Sequence, residues 1–145
     1  MASQVLGHSP LIKPLVTLAG WTFVMEAWMY ATRIPAISKY NIDVNADKVA
    51  NDFNTKVPMS IRQIADNYNH LHEQPTIFFA VALALAVVGD DHPNTVKAAW
   101  TYVGARIVHS IFQSTVNKVM VRFQLFLGSS IVLAGLTGRL AQIVY

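Results

Sequence analysis

Four long apolar runs, parted by three polar interruptions, make up most of this chain. They extend from roughly Pro14 to Ile37, Ile64 to Val88, Val96 to Val116 and Met120 to Ile143. Each comes close to the about 20 helical residues that cross a hydrocarbon core about 30 Å thick. The pattern predicts one all-α domain over residues 1–145, an integral membrane four-helix bundle with up-down-up-down order, because short connections join antiparallel neighbours. The alternative, a soluble bundle of long core helices, would leave these runs almost no polar outer face.

The interruptions differ in kind. Residues Ser38 to Ser60 form the one long connection and carry Lys39, Lys48 and Lys56, with Arg33 and Arg62 on its flanks. GDDHPN, Gly89 to Asn94, is a short acidic turn, and Asn117 and Lys118 mark the tightest junction, followed by Arg122. By the positive-inside rule the first and third connections face the cytoplasm, leaving both termini and the GDDHPN turn on the other side. The opening MASQVLGHSP lacks the basic start and cleavage site of a secretory leader, so the first run is expected to stay as a signal anchor.

Composition supports lipid as the main solvent: 53% of residues are hydrophobic and only 13% charged, against about 25% charged in soluble domains. The chain has no cysteine, which excludes disulfides, thiolate metal sites and a cysteine nucleophile. A net charge of +3 spread along the chain gives no basic patch for nucleic acid.

Polar residues inside the runs fall at helical spacing. Glu26, Tyr30 and Arg33 step by four and three in the first run, and Asp66, His70 and Glu73 do so in the second, with Asn69 beside them. Tyr102, Arg106, His109 and Gln113 step by four, three and four in the third. Residues three and four apart are neighbours on a helix, and an unpaired charge in a bilayer costs several kcal/mol. The stripes are therefore expected to face one another or a wet cavity. One outcome is interhelical ion pairing among Glu26, Arg33, Asp66, Glu73 and Arg106, which would only hold helices together. The other is a polar binding site near the cytoplasmic face, built from Arg33, His70, Glu73 and Arg122. HLHE, His70 to Glu73, is a poor metal site, because its histidines diverge on a continuous helix and the HExxH spacing is absent. Ser110 beside His109 lacks the glycine frame of a nucleophile elbow.

NHLHEQP (Asn69 to Pro75) and RIVHSIFQSTVNKVMVRFQLF (Arg106 to Phe126), in this order and at this depth, resemble the MAPEG superfamily of small membrane proteins of eicosanoid and glutathione metabolism. The resemblance covers nearly the whole chain. It implies a homotrimer with glutathione bound between subunits near the cytoplasmic side, and a lipophilic small molecule entering from the surrounding membrane lipids. Arg122 matches the helix-four arginine that stabilises the glutathione thiolate, and His109 matches the helix-three histidine. Glu73 matches the glutamate that holds the glutathione amino end, and Arg33 the helix-one arginine. Asn69, His70, Arg106 and Gln113 would complete the cofactor-binding wall. Four positions differ from the family pattern: His70 stands in place of asparagine, Asp66 of a basic residue, Gln113 and Phe126 of phenols.

The chemistry is coherent, since a guanidinium and a helix amino terminus both favour a thiolate over a thiol of pKa about 8.5. The expected function is a glutathione-dependent transferase or peroxidase for a lipophilic electrophile. It would reside in the endoplasmic reticulum of a eukaryote or the inner membrane of a bacterium. Two further readings stay open: a non-catalytic lipid-binding scaffold, and an acid–base enzyme that uses His70, His109, Glu73 and Asp66 without a thiol.

Overall fold

The computed structural model of the protein describes residues 9–45 and 47–145; the first eight residues of the opening MASQVLGHSP, on which the leader reading rests, lie outside them. Helix α1 spans Ile12–Lys39, α2 Val49–Lys56, α3 Met59–His70, α4 Gln74–Val87, α5 Pro93–Thr115 and α6 Val119–Val144. Among the described residues the fold is all helical.

The second apolar run differs from the single helix expected over Ile64 to Val88. It breaks at Leu71 to Glu73 into α3 and α4. Pro75 is the cause: it has no N–H to give the Leu71 carbonyl, and its ring would clash there. The chain instead tightens, with His72 N donating to Asn69 O at 2.9 Å and Glu73 N to His70 O at 3.4 Å. Glu73 takes a non-helical conformation as the N-cap of α4. The long first connection is also more ordered than its polar composition suggests. It contains α2, whose Phe53 packs with Ala36, Ile42 and Val57 in a small apolar cluster, and Lys56 pairs with Asp52 at 2.6 Å.

Helix α1 buries Pro14, Leu18, Met25, Met29 and Ala36, a stripe with steps of four and seven that is turned towards α3 and, less closely, α4 and α5. Helix α5 is the central element, packed along α6 and against α3. Its buried face combines Ala99, Tyr102 and Val103 with Arg106, His109, Ser110 and Gln113. Leu18, Phe78, Leu85, Tyr102, Leu133 and Leu136 fill the apolar half of the interior, where Phe78 and Tyr102 stack with ring centroids 4.5 Å apart. Outward lie Phe23, Ile34, Ile77, Val119, Phe123 and Ile131, all more than half exposed. That many bare apolar side chains suit lipid and would be a liability in water. Among the described residues α6, 26 residues long, is the one helix apolar and long enough by itself to cross a bilayer.

The acidic turn is built for its sequence. Gly89 sits at φ +78°, and Asp90 N and Gly89 N donate to Leu85 O and Ala86 O, which closes the carboxyl end of α4 with a left-handed residue. The Asp90 carboxylate then accepts from His92 N at 3.1 Å, Thr95 Oγ1 at 3.0 Å and Arg139 Nε at 2.9 Å. It thereby ties the turn to the far end of α6. The Arg139 guanidinium holds the Asp90 carboxyl below its ordinary value, with the His92 and Thr95 bonds adding to this. Because the folded value is depressed, the stabilisation is complete above 3.8, the unperturbed value, and is lost as pH falls below it. Asp90→Asn is expected to cost about 2 kcal/mol, the scale of hydrogen bonds to a charged group. This corresponds to a fall in Tm of about 4–8 °C in a chain of this size. Thermal melts in detergent at neutral pH and at pH about 3 check it, since protonating Asp90 should narrow the gap between wild type and variant.

Candidate functional site

The break at Leu71 to Glu73 creates the polar end of the molecule. His70, the last residue of α3, turns its ring toward α5 and α6, lying 5.2 Å from the His109 ring and 5.3 Å from the Phe126 ring, centroid to centroid. Its Nδ1 is 2.6 Å from Glu73 Oε2. An ionised carboxylate only accepts, so Nδ1 carries the hydrogen and Nε2 keeps a free lone pair. His70, His109 and Arg122 line one cleft of about 210 Å³ with Val119, Phe123 and Phe126. Arg122 is held in the first turn of α6 by Asn117, whose Oδ1 accepts from its Nη1 at 2.6 Å. Asn117 makes the junction there at φ +54°, a left-handed conformation that asparagine tolerates better than most residues.

Arg106 lies behind this cleft with none of its surface exposed. Its Nη2 donates to the His70 carbonyl at 3.3 Å, and its guanidinium carbon sits 5.6 Å from the Phe126 ring centre. Among the described residues its Nε and Nη1 make no hydrogen bond, nor do His109 Nδ1, Gln113 Oε1 or Arg122 Nε. Buried polar groups ordinarily have partners, and a buried cation without one is costly. Five unpartnered polar atoms on α5 and α6, close to one small cleft, mark this end as the candidate site.

Arg33 and Asn69 are elsewhere. They line a second cleft, of about 180 Å³, with Asn54, Arg62 and Asp66, where Arg33 covers the Phe53 ring at 4.4 Å. The anticipated single polar wall is thus divided: His70, His109 and Arg122 share one cleft, with Arg106 and Gln113 buried on the α5 face behind it and Glu73 hooked to His70, while Arg33 and Asn69 occupy another. The physical reason is the geometry of α3, on which Asn69 and His70 are successive and point about 100° apart.

The expected ion pairs among Glu26, Arg33, Asp66, Glu73 and Arg106 do not form among the described residues. Helix-to-helix polar contacts run instead through amides and hydroxyls. Gln63 Nε2 donates to the carbonyls of Ser114 and Thr115 at 2.9 and 3.0 Å, Asn67 Nδ2 to Ser110 Oγ at 2.6 Å, and Gln74 Nε2 to Ser130 Oγ at 2.7 Å. Such neutral pairs are the usual adhesive between helices in lipid. Gln63, Asn67 and Gln74 were missed by reasoning that followed charges, although Gln63 and Asn67, four apart, share one face of α3. The break also leaves the HLHE histidines with separate partners, since His72 Nδ1 meets the Tyr68 carbonyl at 2.9 Å. No group of three or more metal-ligand side chains is assembled among the described residues.

A roomier cleft, about 570 Å³, lies at the other end between α5 and α6, with Ala98, Val132, Gly135 and Leu136 in its walls. Its guanidinium, Arg139, is already engaged by Asp90. The cleft of His70, His109 and Arg122 has the larger group of unpartnered polar atoms close to it and is the better candidate.

A helical protein with so bare an apolar exterior belongs among membrane proteins. The sequence profile of the MAPEG family matches residues 11–142, and the chain belongs to that family of membrane proteins in eicosanoid and glutathione metabolism. No curated protein and no solved structure matches the chain.

Proposed function

We propose that the protein is a multi-pass, trimeric membrane enzyme that joins glutathione to a lipophilic electrophile, with Arg122 holding the thiolate. In this reading α1, the broken α3–α4 pair, α5 and α6 are the four crossings, and both termini are non-cytoplasmic. The observation that carries it is the cleft of His70, His109 and Arg122, backed by the unpartnered atoms of Arg106, His109, Gln113 and Arg122. A zwitterionic tripeptide supplies both the anionic and the hydrogen-bonding groups that such a set lacks.

The division of the polar residues between two clefts fits a ring. A head-to-tail interface sets one face of a subunit against a different face of the next, and repeats until it closes. The Arg33–Asn69 cleft of one subunit then meets the His70–Arg122 cleft of its neighbour, and a bound tripeptide is shared between them. Arg33 meets a carboxylate there, and the free oxygen of Glu73 meets the amino end.

The experiment is thermal stabilisation of the detergent-purified protein by glutathione, with particle mass measured alongside. A saturable rise in Tm at millimolar glutathione and a trimer mass are expected. A flat melting curve at that concentration rejects the glutathione reading, and a monomer rejects the shared site.

A further inference from the structure

We infer that His70 and Glu73 work as a carboxylate–histidine pair, in which His70 Nε2 takes the thiol proton and returns it to the product. The inference rests on the proposed thiol chemistry and adds to it a base that the arginine cannot be.

Three observations carry it. Glu73 Oε2 fixes His70 Nδ1 at 2.6 Å, which selects the tautomer with a basic Nε2. His70 lines the same cleft as Arg122, so base and guanidinium address one small volume. The helix break makes the contact possible: Glu73 leaves helical geometry as the cap of α4, and its carboxylate folds back over three residues onto the ring. In the single subunit the Glu73 side chain is 67% exposed and that of His70 21%, so the pair lies at the rim of the subunit and not in its core.

The step balances for an epoxide. The S–H bond breaks, the proton passes to Nε2, and the sulfur keeps the electron pair beside Arg122. The thiolate then forms a C–S bond as the ring C–O bond breaks. The alkoxide takes the proton back from Nε2–H, leaving a neutral imidazole and a hydroxy thioether. Glu73 is a positioning residue: its carboxylate holds the Nδ1 side of the ring and stabilises the transient imidazolium. The groups facing His70 are Glu73 from its own segment, His109 and Arg106 from α5, and Arg122 from α6. Only Glu73 among them favours the imidazolium.

The test uses the full chain in detergent, glutathione and an aryl epoxide, with kcat and KM followed across pH and glutathione-induced Tm shifts measured in parallel. His70→Asn is expected to lower kcat about 100-fold at neutral pH, the lower range for general base catalysis. It should keep the Tm shift and lose the acidic limb of the pH profile. Glu73→Gln, measured at saturating glutathione because Glu73 also meets the tripeptide in the proposed reading, should shift that limb to lower pH, because the imidazolium loses its neighbouring negative charge. Unchanged kcat and pH profile in His70→Asn would overturn the pair while leaving the glutathione reading intact. Loss of the Tm shift together with the rate in His70→Asn, with Glu73→Gln keeping the wild-type limb, would also overturn it, since His70 would then only hold the ligand. A wild-type protein that neither binds glutathione nor turns it over rejects both.

Discussion

Arg122→Ala is expected to reduce glutathione conjugation by about 10²–10³-fold, the loss that follows removal of one donor aimed at developing negative charge. The expectation follows from its placement. Arg122 stands in the first turn of α6, where the helix dipole already favours an anion, and Asn117 holds one end of its guanidinium. The Nε faces no hydrogen-bond partner among the described residues, so a thiolate adds a bond without displacing one. Deleting the side chain should raise the pH at which the thiolate forms, and thiolate absorbance titrated in the wild type and the variant reads this directly. Arg122→Lys keeps the charge but loses the planar fork, so partial rescue is expected. A variant with the wild-type rate and thiolate titration would remove Arg122 from the chemistry.

Arg106→Met carries the second large effect, and it has two opposed signs. In the free protein Arg106 is wholly buried and makes one long hydrogen bond, to the His70 carbonyl. Replacing an imperfectly compensated buried ion with an apolar residue of similar length is often neutral or stabilising, by about 1–4 kcal/mol. The melting temperature without ligand is therefore expected to hold or rise. With glutathione present the order should reverse. On the proposed reading the variant loses the cation that favours an anionic ligand beside the cleft, so the ligand-induced Tm shift should disappear. A variant that melts lower without ligand would show that Arg106 is already compensated. Comparing the melts with and without glutathione separates the two cases in one experiment.

Much of this site was legible before any fold was known, for a simple reason. Charges and imidazoles inside apolar runs are expensive, so each of His70, Glu73, Arg106, His109 and Arg122 stood out by depth and spacing. What misled was treating the second run as an unbroken helix. On that assumption Asp66, His70 and Glu73 form one stripe, and two histidines diverge with no carboxylate between them. Pro75 was the available signal for a break, because a proline removes the hydrogen bond to the residue four earlier. The neutral adhesive was missed for a different reason. Asn67, Ser110, Gln74 and Ser130 carry no charge, and only three-dimensional proximity distinguishes a bonded amide from one that faces outward.

The sequence by itself determined the all-helical character, the helix ends at the GDDHPN turn and at Asn117, and the family. These depend on local rules: apolar period, proline and glycine at termini, and motif order along the chain. Only the tertiary structure decided that Glu73 meets His70, that Arg33 and Asn69 occupy a separate cleft from Arg122, and that Arg106 lies buried behind the site. Those facts depend on the rotation of each helix about its axis, which side-chain packing between non-neighbouring segments sets. A break of three residues at Leu71 to Glu73 then converts a stripe on paper into a carboxylate–histidine pair beside an arginine.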